Sequence, residues 1–334
     1  MNTRRLVPLV IASCTGVAMG QAGAPSAQPQ RQGSPPGAGA PSGAEAARGP
    51  GGPRAAGQMP PPRAIEWSVY FKGTTSTAAD LDDSKGDVSF SRVGAGLSVG
   101  IPIGQRSQLD INPEYELLIY DFHNTGTLLP TAGEPWGEIH RQSLSARLAT
   151  QVDQRLRWYL GGSVTGSAED GADWNEGLTF GVLGGVAYAL SETLQVGGGI
   201  AITTQIEEDP LPVPVLTVNW QFAERWRLSN ERRLGLGVFY EPDEMWKFGV
   251  IASYERNEFR LDDSGPLPDG VGRDRRVPIA AVVSIKPSAS VRIDAEAGVY
   301  VFQEYKFEDE GGNEIAESDA DPAAFISIRL TYSF

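Results

Sequence analysis

The sequence predicts an all-β fold, a transmembrane up-and-down antiparallel barrel of about 12 to 14 strands. Three observations support this prediction. The chain ends on a strongly alternating segment, the same alternation recurs along most of the chain, and short and long polar connections follow one another between the alternating segments.

The C-terminal segment, residues 324–334, has one apolar and one polar face. A period of two over ten residues is typical of a strand with one face in an apolar medium. A final Phe with an aromatic residue two positions earlier resembles the recognition signal of bacterial outer-membrane barrels. We therefore expect this segment to close the barrel and to be recognised by the barrel-assembly machinery. The apolar face consists of Ile326, Ile328, Leu330, Tyr332 and Phe334.

The same alternation recurs upstream. It is sharpest at 291–299, where Val, Ile and Ala alternate with Arg292, Asp294 and Glu296. A soluble sandwich would also alternate, but these segments have the length that a tilted strand needs to cross a bilayer. Thirteen segments are clear; splitting residues 226–240 into two strands gives 14, and treating one marginal segment as a loop gives 12. The other main segments are 93–101, 109–119, 144–148, 156–160, 178–190, 194–206, 216–222, 234–240 and 246–254.

The connections between these segments alternate in length, as in barrels with short periplasmic turns and long external loops. Tryptophans fall mostly near predicted strand ends, where they would form aromatic girdles at the membrane interfaces. Short turns are predicted at 104–106, 153–154, 191–192, 223–224, 242–243 and 286–290, and long loops at about 79–87, 122–138, 167–176, 207–212, 261–274 and 308–322. The tryptophans are Trp67, Trp136, Trp158, Trp174, Trp220, Trp226 and Trp246.

Composition excludes several protein classes. No segment after the leader runs 18 residues without a polar interruption, which excludes a helical membrane protein. The formal net charge of -14 argues against nucleic acid as a partner, because phosphate binding needs clustered Lys and Arg. The single cysteine, Cys14, leaves the folded region without a disulfide or a thiolate metal site.

The first 63 residues are predicted to lie outside the barrel. Residues 1–20 have the basic start and short apolar core of a signal peptide, with cleavage before Gln21 favoured. The alternative is a lipoprotein signal, in which Cys14 would become the lipidated first residue. Residues 21–63 are rich in Pro, Gly and Ala, and we expect a disordered periplasmic tether that could contact peptidoglycan. Residues 64–334 form the predicted barrel.

Charged residues on the polar faces of the strands are expected to line the lumen. Mixed charges can line a water-filled channel, or they can pair into a network that closes a narrow barrel. About a dozen strands leave more interior than side chains fill, which favours a small pore. The lumen-facing candidates are Arg92, Asp110, Glu114, Glu116, Arg147, Arg155, Arg157, Arg292, Asp294, Glu296 and Arg329.

No catalytic, metal or cofactor site is predicted. His140 and Ser143 are the only His and Ser close in sequence, but residues three apart on a strand point to opposite faces. His123 lies where a strand runs into a long loop. Acidic residues concentrate in the long loops, where they could hold divalent cations that bridge lipopolysaccharide. They lack any fixed ligand spacing, so solvated loops are the favoured interpretation.

Residues 220–262 resemble a family of uncharacterised bacterial outer-membrane β-barrel proteins. The resemblance rests on Trp226-Arg227-Leu228, Tyr240-Glu241-Pro242, 252–255 and 259–262, and it extends through Gly270-Val271-Gly272 and 274–278. It implies the fold and an outer-membrane location, and it implies no chemistry.

These observations predict a monomeric outer-membrane barrel in contact with lipid and lipopolysaccharide. A narrow passive channel for small solutes is the favoured function. The alternative is a structural or surface-interaction barrel with a closed lumen, and a barrel enzyme is the least favoured.

Overall fold

A computed structural model describes residues 64–334, except 83, 85, 127, 130–133 and 231–233. The predicted signal peptide and tether lie outside these residues. All 17 strands belong to one sheet. They are β1 (Glu66–Ser76), β2 (Ala79–Asp80), β3 (Asp87–Ile103), β4 (Ser107–His123), β5 (Glu138–Gln151), β6 (Leu156–Glu169), β7 (Leu178–Ala189), β8 (Leu194–Thr203), β9 (Leu211–Ala223), β10 (Trp226–Ser229), β11 (Gly235–Tyr240), β12 (Trp246–Ser253), β13 (Glu255–Arg260), β14 (Val271–Ile285), β15 (Val291–Glu308), β16 (Glu314–Ala320) and β17 (Ala323–Ser333).

The sheet closes on itself as a barrel of 14 strands. Each of the pairs β1–β2, β12–β13 and β16–β17 continues one strand of the wall across a short interruption, because both members pair with the same neighbour. Closure comes from β17, which pairs antiparallel with β1 from Ser68↔Ser333 to Ser76↔Phe325. The predicted barrel and its closing C-terminal strand are confirmed, and the segment 226–240 does divide into two strands, β10 and β11.

The alternating sequence places an apolar face on the outside of the wall. Leu216 on β9 is 72% exposed and Phe334 is 76% exposed, and every apolar residue of the predicted assembly signal is exposed. The residues between them on β17 are partly buried on the inner side. Such a band of large exposed apolar side chains fits hydrocarbon as the surrounding medium. Among the described residues, no helix is long and apolar enough to cross a membrane.

Short turns, the start of β1 and the end of β17 lie at one end of the barrel, here called the terminal end. The backbone N–H of Phe334 donates to the carbonyl of Trp67 there, at 2.9 Å. The longer connections lie at the opposite end, here called the loop end. An aromatic belt runs around the outside of the terminal end. Its exposed members include Trp67, Trp220, Phe222, Trp226, Trp246 and Tyr332.

Two tryptophans do not belong to that belt. Trp174 lies in the β6–β7 loop and covers Gly166, whose position leaves no room for a side chain beneath the indole ring. Trp136 is only 2% exposed and lies inside the loop end of the barrel, so the prediction that it belongs to a membrane girdle is wrong. Trp136 does lie near a strand end, as predicted, but its loop folds into the barrel. The buried aromatic contacts stabilise the indole ring more than a position at the membrane interface would.

The wall narrows from 14 strands to nine towards the loop end. Strands β7 to β11 end below this level, since the top of β7 at Leu178 pairs with Gly166 and the top of β11 at Gly235 pairs with Ser253. Above β11, β13 bridges in parallel to β6 through Arg260↔Ala168. The ring is completed where Leu81 bridges to Ala320. The nine strands are β2, β3, β4, β5, β6, β13, β14, β15 and β16; we call this section the upper barrel.

The largest buried core fills the upper barrel. Its residues come from all sides of the ring and from the β4–β5 loop, and Trp136 lies among them. The members include Val88, Phe90, Leu118, Tyr120, Phe122, Ile139, Phe259, Tyr305 and Phe307. Two smaller apolar clusters line the inner wall below it, one around Phe239 and one around Val213.

A charge on the outer wall should be far more costly than a charge on the inner wall. Leu216→Arg places a guanidinium in the middle of the lipid-facing band, and we expect a loss of about 2–4 kcal/mol in the free energy of unfolding. Asn219→Arg on the same strand points to the partly exposed inner face and should change stability by less than about 1 kcal/mol. Reversible urea unfolding in lipid vesicles measures both. Equal effects would contradict a lipid-facing outer wall.

Candidate functional site: the barrel lumen

The lower lumen, on the terminal-end side, is accessible to solvent. Several inward residues of β6 to β9 are partly exposed here, among them Arg157, Ser163 and Asn219. Glycines on the inner face of this part of the wall project no side chains into the lumen. A side chain at Gly185 would come within 2.3 Å of the Tyr159 hydroxyl, so the tyrosine ring lies flat against the wall rather than across the lumen. The 14-stranded section therefore encloses an open vestibule.

A layer of ion pairs crosses the lumen above the vestibule, and Glu116 is at its centre. This carboxylate is 1% exposed. It lies 2.7 Å from the Lys72 ammonium, 3.1 Å from Arg141 and 3.7 Å from Arg92. Arg92 also reaches Glu255 on β13 at 3.4 Å. Buried charges of this kind are tolerated only when they are paired, so each member depends on the others.

The next layer towards the loop end is built around Arg276. Its guanidinium lies 3.6 Å from the ring centre of Phe90 and 5.4 Å from those of Tyr120 and Tyr300. Asp274 accepts a hydrogen bond from Arg276 at 3.0 Å and another from the Tyr120 hydroxyl. Cation–π contacts and a carboxylate together hold a charge that water no longer solvates.

Trp136 completes the closure of the loop end. Its ring centre lies 4.7 Å from that of Phe307, 5.1 Å from Phe259 and 5.3 Å from Phe122. The last two contacts are edge-to-face, an arrangement that aromatic pairs favour. Together with the Arg276 and Glu116 layers, this cluster closes the upper barrel; we call the three layers the seal.

The structure places most of the predicted lumen residues on the inner wall, at different heights. Arg92, Asp110, Glu116, Arg147 and Asp294 are buried, and Arg147 pairs with Asp110 at 2.9 Å. Arg292 pairs with Asp294 at 2.9 Å. Glu114 pairs with Lys72, and Arg329 lies over the Tyr70 ring. Arg157 and Glu296 are partly exposed on the inner faces of β6 and β15, whereas Arg155 lies in the exposed turn before β6, at the rim.

Sequence reasoning missed several residues of the seal. Lys72 lies on β1, ahead of the first predicted segment at 93–101, and Arg141 lies on β5, ahead of the predicted segment at 144–148. Asp274 and Arg276 belong to β14, whose start overlaps the predicted loop 261–274. The alternation of β14 itself is regular, and the bulge at this level lies in β15, opposite Val277 and Pro278. Trp136 comes from a loop, for which alternation gives no information. Following the regular alternation of β14 back from Val282 identifies Arg276 as inward-facing.

No catalytic constellation is present among the described residues. His140 faces outward, with Nδ1 2.8 Å from the Tyr115 hydroxyl, whereas Ser143 is buried on the inner face. His123 is exposed beside Asp121 at 3.5 Å. In the described part of the chain, no group of three or more His, Cys, Asp or Glu could hold a metal ion.

A groove of about 740 Å³ lies on the outer wall across β1 and β3 to β7. Phe71, Tyr115 and Leu144 line it, and Trp174 forms one side. Because these are lipid-facing side chains, the groove is separate from the lumen and from its charged layers.

One family model and several solved structures are similar to this chain. Residues 158–333 match the family described as a domain of unknown function (DUF6268). An outer membrane channel from Pseudomonas putida F1 aligns at 9% identity and a TM-score of 0.45, covering 83% of this chain and 97% of that one. A Pseudomonas aeruginosa FadL homologue aligns at 11% identity and 0.42, covering 80% and 89%. LpxR from Salmonella typhimurium aligns at 12% identity and 0.35, covering 79% and 99%. No curated protein matches the chain.

Removal of the Glu116 charge should destabilise the seal. Glu116→Gln keeps the shape of the side chain but leaves Lys72, Arg92 and Arg141 without their shared carboxylate. We expect a loss of about 3–5 kcal/mol in the free energy of unfolding, because the buried Arg141 loses its carboxylate partner while Lys72 keeps only Glu114 and Arg92 keeps only Glu255. Glu192→Gln, in an exposed turn at the terminal end, should change it by no more than about 0.5 kcal/mol. Urea unfolding in vesicles compares the two, and a Glu116→Gln barrel as stable as wild type would contradict the shared-carboxylate arrangement.

Proposed function

This chain belongs to the DUF6268 family, and we propose that it is an outer-membrane channel for small polar solutes that rests closed at its loop end. The observation that carries the proposal is the difference in burial between the two halves of the lumen. Several inward side chains of the 14-stranded section are partly exposed, among them Arg157, Ser163 and Asn219, whereas the core that fills the upper barrel is buried.

The make-up of the vestibule wall supports a passage for solutes. A barrel with a structural role alone could fill its interior with side chains, as barrels of about eight strands do. Here the inner faces of β7 and β8 carry glycine and alanine at Gly185, Ala187, Gly197 and Gly199. Those residues project little or no side chain into the lumen. Strands on the opposite side of the barrel supply its charged groups.

The direction of the channel follows from the two ends. Short turns are typical of the periplasmic side of such barrels and long loops of the external side. The vestibule then opens to the periplasm, and the seal faces the exterior. With ion pairs and an aromatic cluster in series, the resting state blocks a straight path along the barrel axis, so conduction requires a rearrangement at the loop end.

The second candidate function is a closed surface barrel. The specific observation in its favour is the seal itself, because three layers of buried contacts are more than a channel needs for selectivity. In that case the acidic loop end would be the functional surface and no solute would cross.

Conductance separates the two functions. The refolded mature chain in a planar bilayer should give discrete current steps under applied voltage. Ser163→Trp places a large ring on the inner face of the vestibule and should lower the unit conductance about twofold or more. Its neighbour Val164 faces lipid, so Val164→Trp serves as the matched control and should leave the conductance unchanged. A folded barrel that passes no current at any voltage would overturn the channel proposal, and so would current that Ser163→Trp does not change.

A further inference from the structure

The narrowing of the wall leaves part of the vestibule without a strand above it. Strands β7 to β11 end at the lower level, and β13 crosses from its place above β11 to β6 instead of continuing their wall. A ring of nine strands encloses less area than a ring of 14. The lumen area between the rim of β7 to β11 and the outer face of β13 is therefore bounded by loops and not by the sheet.

The β8–β9 loop, residues 204–210, spans this space and attaches to the outer face of the upper barrel. Gln205 accepts a hydrogen bond from Arg256, and Glu207 pairs with Arg260, both on β13. Glu208 pairs with Arg273 on β14 and lies 3.6 Å from Lys306 on β15. Successive residues of one short loop thus hold three successive strands.

The backbone of the same loop is also held. The N–H of Ile206 donates to Glu258 at 2.7 Å, and Arg273 donates to the Ile206 carbonyl at 2.8 Å. The Ile206 side chain is buried, whereas Glu207 has φ 57°, a conformation that is costly for a residue other than glycine. The ion pairs and the buried Ile206 side chain therefore stabilise a backbone conformation that the detached loop would not keep.

The charges at the contact favour the attached state at neutral pH. Burial raises the pKa of the Glu208 carboxyl, but the hydrogen bond and the charge of Arg273 outweigh it, so that the pKa lies below its ordinary value. Glu308 and Glu258 already compensate Arg273, at 2.6 and 3.0 Å. Arg273 can consequently lose Glu208 and still be paired.

We infer that the channel exit lies at the side of the loop end, between the rim of β7 to β11 and β13, and that residues 204–210 are its removable closure. This inference rests on the proposed channel function. Release of the loop would connect the vestibule to the exterior without dismantling the seal. The exposed edge would carry Arg256, Arg260 and Arg273 beside Glu258 and Glu308. Charges of both signs suit small neutral or zwitterionic polar solutes more than ions of one sign.

A disulfide lock tests whether the loop must move. An ideal Cβ at Gly312 would lie 2.9 Å from that of Glu207, shorter than the about 3.5–4.5 Å between the Cβ atoms of a disulfide, so the two neighbouring backbones must move slightly apart for the bond to form. Glu207→Cys/Gly312→Cys in a Cys14→Ser background should therefore conduct only after reduction. Gly312 has φ 77°, so Gln205→Cys/Arg256→Cys provides a second lock if the first does not fold; because two long side chains join this pair end to end, the two thiols are bridged by a cross-linker that contains a reducible disulfide. Wild-type current from an oxidised, cross-linked barrel would overturn the side exit.

A release variant tests the same inference in the opposite direction. Glu207→Gln/Glu208→Gln removes the ion pairs of the loop with Arg260, Arg273 and Lys306. We expect the fraction of time that the channel spends open in planar bilayers to rise about tenfold, which corresponds to a loss of roughly 1.4 kcal/mol from the closed state. Glu134→Gln/Glu310→Gln neutralises two exposed carboxylates at the same end of the barrel and should leave gating unchanged. Equal gating of the two double variants would overturn the inference.

The outcomes also separate this inference from the proposed function. If the locked barrel conducts and Ser163→Trp still lowers the current, the channel stands and the exit lies elsewhere, through the upper barrel. If neither wild type nor the release variant conducts, the channel proposal itself fails. Loss of current on oxidation, with recovery on reduction, supports both.

Discussion

The whole structure depends on the need to pair every backbone polar group at the wall. Hydrocarbon offers no hydrogen-bond partner, so a sheet in lipid has no tolerable edge and must close. The pairing of β1 with β17 satisfies this requirement and sets the register of the full ring. Once the ring is closed, alternation alone assigns each side chain either to lipid or to the lumen.

Closure at 14 strands creates a second problem, because the interior is too wide for side chains to fill. The chain handles it differently at the two ends. In the lower section the inner wall is glycine-rich and partly solvated. Towards the loop end β13 leaves the wall to meet β6, and the ring becomes narrow enough for Phe, Tyr and Trp side chains to meet across it. The narrowing therefore decides where the lumen is open and where it is closed.

The charged layers follow from this change of width. Glu116, Asp274 and their cationic partners face inward at the level where solvent is lost. Each charge there costs several kcal/mol unless a partner compensates it. Networks centred on Glu116 and on Asp274 supply that compensation, with aromatic rings around Arg276. The outer face of the upper barrel carries a separate network, around Arg273, and this network is where residues 204–210 attach.

The sequence by itself determined the barrel, the positions of most of its long strands, the order of short and long connections, and the inner or outer face of most of the charged residues on those strands. Those features depend on local alternation, which any single strand displays. Only the tertiary structure decided the rest: the narrowing to nine strands, the inward fold of Trp136, and the attachment of residues 204–210 to β13. The bridge between β6 and β13 joins residues about 90 positions apart in the chain, and a period of two carries no information about which distant strands meet.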